Sequence, residues 1–416
     1  MKPAIIEPIF QSQSRINQDV ADLPPSGIRR FFDLAANTPG VISLGVGEPD
    51  FATPWHISEA GIHALEMGQT SYTSNSGMPR LREEVSAYFE RIHHCRYDPA
   101  GELLITIGGS EGLDLSFRAL LNPGEEAIIV DPSFVSYAPL AILAGGKAIR
   151  IPTTAENGFV PRREHLEKAL SPRTKILVVN YPNNPTGATL TMENVEEIAD
   201  FVLRSDLILV SDEIYLPLSY ETKGISFTSI PELREQLVLL HGFSKAWAMT
   251  GWRLGIAAGP RDIIAAMTKI HQYSIMCASS LAQIAAIEAL KNGADEVERM
   301  RREYDARRRF IASHFNRLGL DCFIPKGAFY VFPSIRRTGL SSEEFALRLL
   351  EDERVAVVPG TAFGECGEGH IRCSYATSLE EIREAINHIE HFLTKNHPEI
   401  VSESLPLPYR EEKAEH

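Results

Sequence analysis

The chain has 416 residues, 44% of them hydrophobic, enough for one large core or two. Lys and Arg number 41 against 55 Asp and Glu, a net charge of −14 that disfavours a general nucleic-acid or anionic-membrane surface. Cys95, Cys277, Cys322, Cys366 and Cys373 are scattered without a CxxC pair, the pattern of reduced thiols in a cytoplasmic protein.

The opening residues MKPAIIEPIFQSQSRINQDV hold no apolar run of signal-sequence or membrane-span length. Leu81, Val85, Phe89 and Ile92 then recur at helical spacing. His93, His94 and Cys95 follow directly, but chain neighbours rarely converge on one ion, so no metal is expected. Between about residues 100 and 260, seven short β-rich runs alternate with helical patterns such as Val195, Ile198, Phe201 and Val202. The runs are LLITIG, AIIVDP, AIRIPT, KILVVNYP, LILVSDEI, LVLLHGF and LGIAAGP. They predict an α/β fold with a mainly parallel seven-stranded sheet covered by helices on both faces.

Several runs end in polar, turn-rich segments: GGSEG, DPSF, NYPNNPTG, SDEIY and GFSKA. Ligands of open parallel sheets sit at the strands' carboxyl ends, so the chemistry is expected there. Residues 294–318 read as one long charged helix leading to a second, smaller α/β unit. That unit holds the strand candidates GAFYVFP, VAVVPG and HIRCSYA, and a helix with Ile382, Ile386, Ile389 and Leu393 on one face. Pro398, Pro406, Pro408 and many charges make the last twenty residues a loose tail.

The stretch HGFSKAWAMTGWRLG, 241–255, sets Lys245 and Arg253 among apolar and small residues with no acid. Apolar surroundings disfavour the charged amine, and a neutral amine condenses with an aldehyde to a Schiff base. A lysine can instead snorkel to the surface, leaving no chemistry. Ser244 and Arg253 tip the balance, since a hydroxyl and a guanidinium together suit a phosphate. An aldehyde bearing a phosphate is pyridoxal phosphate.

That cofactor needs a carboxylate to keep its ring nitrogen protonated, and Asp212 ends a predicted buried strand. Tyr215, three residues on, can donate to the ring's phenolic oxygen, and Phe134 offers an aromatic face. The helix start at Gly109, Ser110 and Glu111 offers free N–H groups to the phosphate. The glycines there form no GxGxxG or Walker pattern, which excludes a dinucleotide or ATP reading.

The run Gly242 to Gly255, GFSKxxAMxGxRLG, resembles the lysine-attachment signature of class I and II pyridoxal-phosphate aminotransferases. GVGEPDF, SYTSNSGMPRLREEV, ITIGGSEGL, NYPNNPTGA, SDEIY, GAFYVFP, VVPGTAFG and HIRCSYAT follow that family's blocks in order, with a likeness to its aspartate and broad-specificity subgroup. The resemblance implies pyridoxal 5'-phosphate on a fold-type-I scaffold, with Lys245 the Schiff-base lysine and mover of the substrate's α-proton. It implies Asp212 on the ring nitrogen, Tyr215 and Asn184 on the phenolic oxygen, and Phe134 stacked on the ring. Ser110, Glu111 through its backbone N–H, Ser244 and Arg253 would hold the phosphate. Tyr72 would reach the phosphate of a neighbouring subunit, which implies a homodimer with shared active sites. Arg372 would clamp the substrate α-carboxylate, with Asn184 and the backbone of Gly47 assisting.

By the same resemblance, residues 1–45 form an N-terminal segment that joins the small domain and covers the active site. Residues 46–295 form the large cofactor-binding domain, 296–395 the small domain and 396–416 the tail. Within PPSGIRRFFDLA, 24–35, Ile28 is placed to contact substrate, while Arg29 and Arg30 serve either a second carboxylate or solvent. Ser110 and YSIMCASS, 273–280, lack the basic residue that aspartate-specialised members carry, which sets a dicarboxylate preference in question.

The expected activity moves an amino group from an L-amino acid to a 2-oxo acid in two half-reactions. A C–S or β-elimination lyase on the same scaffold is the alternative, because fold does not decide reaction type. A non-catalytic, cofactor-binding regulator is a more distant one, disfavoured by the acidic balance and by the short stretch before the lid segment.

Overall fold

The computed structural model describes residues 15–25 and 27–402. All seven predicted runs form strands of one sheet: β1 (Leu103–Thr106), β2 (Glu126–Asp131), β3 (Lys147–Pro152), β4 (Thr174–Asn180), β5 (Ile208–Asp212), β6 (Leu237–Gly242) and β7 (Gly255–Ala258). The spatial order is β1-β7-β6-β5-β4-β2-β3. The five strands from β6 to β3 run parallel, and β7 is antiparallel to both its neighbours.

The apolar character of six of these strands follows from burial on both faces, whereas the edge strand β3 keeps Lys147 and Arg150 and is mostly uncovered. In β4, Ile176 and Val178 enter one core while Leu177 and Val179 enter another. The first face packs the helices Gly108–Leu120 and Arg261–Ser274. The opposite face packs Met192–Ser205, Pro79–His93 and Ser280–Asn292. Thr191 caps the Met192–Ser205 helix through a reciprocal bond with Asn194, which explains why the periodic stripe starts there. Leu81, Val85 and Phe89 are buried as their spacing predicts, whereas Ile92, in the last turn of its helix, is exposed.

A further core gathers the helices Ala294–Arg317, Ser342–Glu353 and Leu379–Asn396. Beside them lies a three-stranded antiparallel sheet whose central strand, Ile371–Ser374, pairs with Val358–Pro359 and Tyr330–Val331. Ile42–Ser43 pairs in parallel with Val355–Ala356, and the Ser374 N–H donates to Leu44 O at 2.6 Å. That seam carries the chain around residue 45 up against Arg372. The tail begins differently from the loose segment expected: Pro398–Ser402 is a short helix with Ile400 buried. The apolar Ile400 finds a partner in the turn at Gly319, where an added Cβ would meet its side chain at 2.8 Å. Residues 403–416, also assigned to the tail, lie outside the described residues. No helix among the described residues is long and apolar enough to cross a membrane.

Candidate active site

Strand register brings the predicted polar loops to one edge of the large sheet. Asn180, Asp212 and Leu240 lie side by side on β4, β5 and β6, and Gly242 faces Gly255 where β7 returns. A Cβ at Gly255 would lie 2.5 Å from the backbone of Gly108, so only glycine lets the lysine loop approach this closely. The helix Gly108–Leu120 starts there, its first N–H groups unpaired within the helix. The cavity formed has a volume of about 420 Å³.

Lys245 Nζ donates to Gly47 O at 2.7 Å, with the Tyr215 and Phe329 rings 5.8 and 5.7 Å away. Burial pushes the amine down to about 8; Glu48 and Asp212 oppose the shift, while Arg372 and Arg253 add to it. The sequence stretch around Lys245 has no acid, and the fold supplies both from elsewhere.

Asp212 is buried at the end of β5, and its Oδ2 accepts from Tyr137 Oη at 2.8 Å. Burial raises its pKa; the Tyr137 hydroxyl, the Ile214 N–H and the Lys245 charge hold it back. Asn180 Nδ2 donates to Asp212 O, and Asn180 Oδ1 accepts from the Asn184 N–H, tying the ends of β4 and β5 together.

Arg372 lies on the central strand of the small sheet and is buried. Its Nη1 donates to Asn184 Oδ1 at 3.0 Å and its Nη2 to Gly45 O at 2.5 Å. The Tyr330 and Phe363 rings flank the guanidinium at 4.5 and 4.9 Å. Among the described residues no carboxylate pairs with it, and its buried Nε finds no acceptor. A buried, unneutralised guanidinium is costly, and it suits an incoming carboxylate.

Of the residues singled out in the sequence, Gly47, Ser110, Phe134, Asn184, Asp212, Tyr215, Ser244, Lys245, Arg253 and Arg372 all line this one cavity. Two do not. Glu111 turns its carboxylate away, to the Ile107 N–H and to His271 Nδ1 at 2.7 Å, leaving only its backbone near the helix start. Tyr72 is 82% exposed and does not reach this chain's cavity. Tyr215 Oη meets Tyr330 Oη at 2.8 Å.

Sequence reasoning missed Tyr137, Asn180, Tyr330 and Glu48, which line the cavity too. Tyr137 stands three residues after Phe134, one helical turn, and the rings meet edge to face at 5.7 Å. That spacing is a usable signal. Glu48 carries none beyond its place in GVGEPDF.

The donor set fits a phosphorylated pyridine aldehyde: an amine lowered to about 8 by burial, a buried carboxylate, a flanking aromatic, and a helix N-terminus beside Arg253. Arg253 sits with φ +53° against Gly108, where a Cβ would come within 2.7 Å of its guanidinium, so the cradle is built around an absent side chain.

The family model "Aminotransferase class I and II" matches residues 39–389, and the chain belongs to that family, whose members are pyridoxal-phosphate-dependent aminotransferases. The chain is accordingly an aminotransferase of fold type I, moving an amino group from an amino acid to a 2-oxo acid. It is 50% identical over 382 residues to the Bacillus subtilis aminotransferase-family protein YugH, covering 92% of this chain and 99% of the other. An aspartate aminotransferase of Pyrococcus abyssi is 45% identical over 372 residues, 89% of this chain and 96% of the other. The solved aromatic aminotransferase of Pyrococcus horikoshii is similar with a TM-score of 0.85 and 43% identity, covering 90% of this chain and all of that one.

Proposed function

We propose that this enzyme runs both half-reactions in the one cavity, with Lys245 the covalent attachment point and Arg372 the shared α-carboxylate site. The observation that carries this is the depressed amine of Lys245 facing a buried, unneutralised Arg372 across 420 Å³ of space. The bound cofactor supplies an electron sink for the negative charge left when the substrate's α-proton departs.

The chain's own residues do the rest. Lys245 Nζ is neutral above about pH 8 and takes the proton from the substrate α-carbon, then returns it on the other side of the transfer. Asp212 would pair with the cofactor's ring nitrogen, and the Tyr137 hydroxyl holds that carboxylate in place and opposes the rise that burial imposes on its pKa. Tyr215 and Asn184 would address the cofactor's phenolic oxygen, and Phe134 would cover its ring. Ser110, Ser244, Arg253 and the N–H groups at Gly109 to Glu111 would hold the phosphate. Arg372 fixes the α-carboxylate in a planar fork, with Asn184 and Gly47 beside it. On this reading the chain divides into a large cofactor-binding domain over 46–295 and a small domain over 296–395, with the N-terminal segment covering the cavity.

We place the enzyme in the cytoplasm as a homodimer. The five free thiols favour a reducing compartment. The dimer is supported by exposed apolar groups on neighbouring segments, among them Met67, Tyr72, Tyr273 and Met276. Asn75 Nδ2 donates to Met276 O and Ser280 Oγ to Gln69 O, joining those segments into one surface. Sedimentation of the holoenzyme is expected to give twice the chain mass; a single-chain mass rules the dimer out.

The test of the central assignment is borohydride reduction of the cofactor-loaded enzyme followed by peptide mapping. Label is expected on Lys245, and its uptake by cofactor-free protein is expected to rise through about pH 8, because the amine loses its proton there and not near 10.5. Label on another lysine overturns the assignment.

A further inference from the structure

We infer that Arg150, outside the cavity, is a positioning residue for the α-carboxylate site and acts on Arg372 through Phe363. This deepens the aminotransferase reading and rests on its assignment of Arg372.

Arg150 lies on the edge strand β3 and its side chain is 42% exposed, yet it is bonded on two sides. Its Nε donates to Asp131 Oδ2 at 2.5 Å and its Nη2 to Phe363 O at 3.3 Å. Asp131 ends β2 with its side chain only 4% exposed. Burial raises the pKa of that carboxyl group, and Arg150 opposes the rise. Ser133 completes the junction: its hydroxyl donates to Asp131 Oδ1 at 2.7 Å and its N–H to Phe363 O at 2.9 Å. Gly364, next along the chain, has φ +132°, and an added Cβ there would lie 2.6 Å from Asp131 Oδ2 and 2.9 Å from Arg150 Nη2. The loop is pressed directly onto the ion pair, and only glycine allows it.

Phe363 belongs to the other side of the junction. It closes the turn Gly360–Phe363 after the strand Val358–Pro359, in which Val358 pairs with Arg372. Its buried ring flanks the Arg372 guanidinium at 4.9 Å. The helix Gly27–Ala36 rests on the same turn, since a Cβ at Gly27 would meet Ala362 at 3.3 Å. Arg372 Nε has no acceptor, so the rings of Phe363 and Tyr330 help to set the plane in which the fork meets a carboxylate.

Most exposed ion pairs contribute little. This one differs because its carboxylate is buried and its cation shares a carbonyl acceptor with Ser133. Without Arg150, the Ser133 hydroxyl is the hydrogen-bond partner left to the Asp131 side chain among the described residues, and Phe363 O keeps one donor of two. A buried carboxylate stripped of its cation rearranges its surroundings, and those surroundings carry Phe363.

The experiment compares native, Arg150→Gln, Arg150→Lys, Phe363→Leu and Arg150→Gln/Phe363→Leu holoenzymes. It measures kcat and KM for alanine, aspartate and phenylalanine, calorimetric affinity for 3-phenylpropionate, and thermal unfolding. In Arg150→Gln, KM is expected to rise about three- to tenfold with kcat within about twofold, by the same factor on every amino acid turned over, because all share the α-carboxylate. Affinity for 3-phenylpropionate is expected to fall equally. Arg150→Lys is expected to recover about half of the loss, since an ammonium neutralises Asp131 but cannot span both acceptors. Added to Phe363→Leu, Arg150→Gln is expected to cost less than about twofold more. Unchanged KM and affinity overturn the inference. So do a loss in kcat alone, or full additivity with Phe363→Leu; if Phe363→Leu does not fold, the Arg150 variants decide. A native holoenzyme that transaminates none of the three amino acids, or an Arg372→Lys variant that binds 3-phenylpropionate as native does, overturns the underlying reading instead.

Discussion

The two ends of the cavity are assembled by different means. The end that fits the cofactor draws Asp212, Ser244, Lys245 and Arg253 from one stretch of chain running through β5, β6 and β7. The substrate end joins Arg372 to Asn184, 188 residues away, and to Gly45, 327 residues away. One end depends on strand register within a single sheet, the other on how the small sheet, the lid and the large sheet meet. The cofactor end is therefore expected to be stiff and to govern chemistry. The substrate end is expected to govern affinity and choice, and to be the part that moves.

Three substitutions probe that division. Lys245→Ala is expected to have the largest effect, lowering kcat by more than about 10⁴-fold, because it removes both the attachment point and the proton carrier. Single-turnover kinetics with bound substrate checks this, and residual activity near native would break the assignment. Asp212→Asn is expected to lower kcat by about 10²- to 10³-fold with KM little changed, since an amide cannot stabilise the ring nitrogen's positive charge. A change mainly in KM would place Asp212 at the wrong end of the cavity. Arg372→Lys is expected to lower kcat/KM by about 10- to 100-fold, chiefly through KM, because an ammonium cannot reproduce two parallel hydrogen bonds. If kcat falls and KM holds, the contrast between the two ends fails.

Legibility in the sequence follows the same line. Six of the seven large-sheet strands could be read because burial on both faces makes them largely apolar runs, and the edge strand Lys147–Pro152, mostly uncovered, was read from its isoleucines between Gly146 and Pro152. The cofactor end was equally readable, since its side chains sit just past the ends of those runs and its lysine loop spans fifteen residues. Tyr137 escaped because its partner, Asp212, is 75 residues away, and a hydroxyl aimed at a carboxylate leaves no periodic trace. Glu48 escaped for the same reason: an exposed acid near a proline reads as a turn until the fold sets it beside Lys245. The short helix Pro398–Ser402 was hidden by its leading proline and by the charged, proline-bearing sequence after it, and only the packing of Ile400 beside Gly319 reveals it.

Arg29 and Arg30 mark the boundary most sharply. They are adjacent and chemically identical, so no local pattern separates their tasks. Helix rotation separates them: burying Ile28 and Phe31 turns Arg30 toward Glu343 and leaves Arg29 on the cavity wall. Local order along the chain determined the sheet, the lysine loop and the class of chemistry, because strand burial and a phosphate cradle are written over a few consecutive residues. The carboxylate clamp, the shifted amine and the direction of each lid arginine were decided only by tertiary structure. Desolvation and charge pairing act through space, between groups that the chain itself keeps hundreds of residues apart.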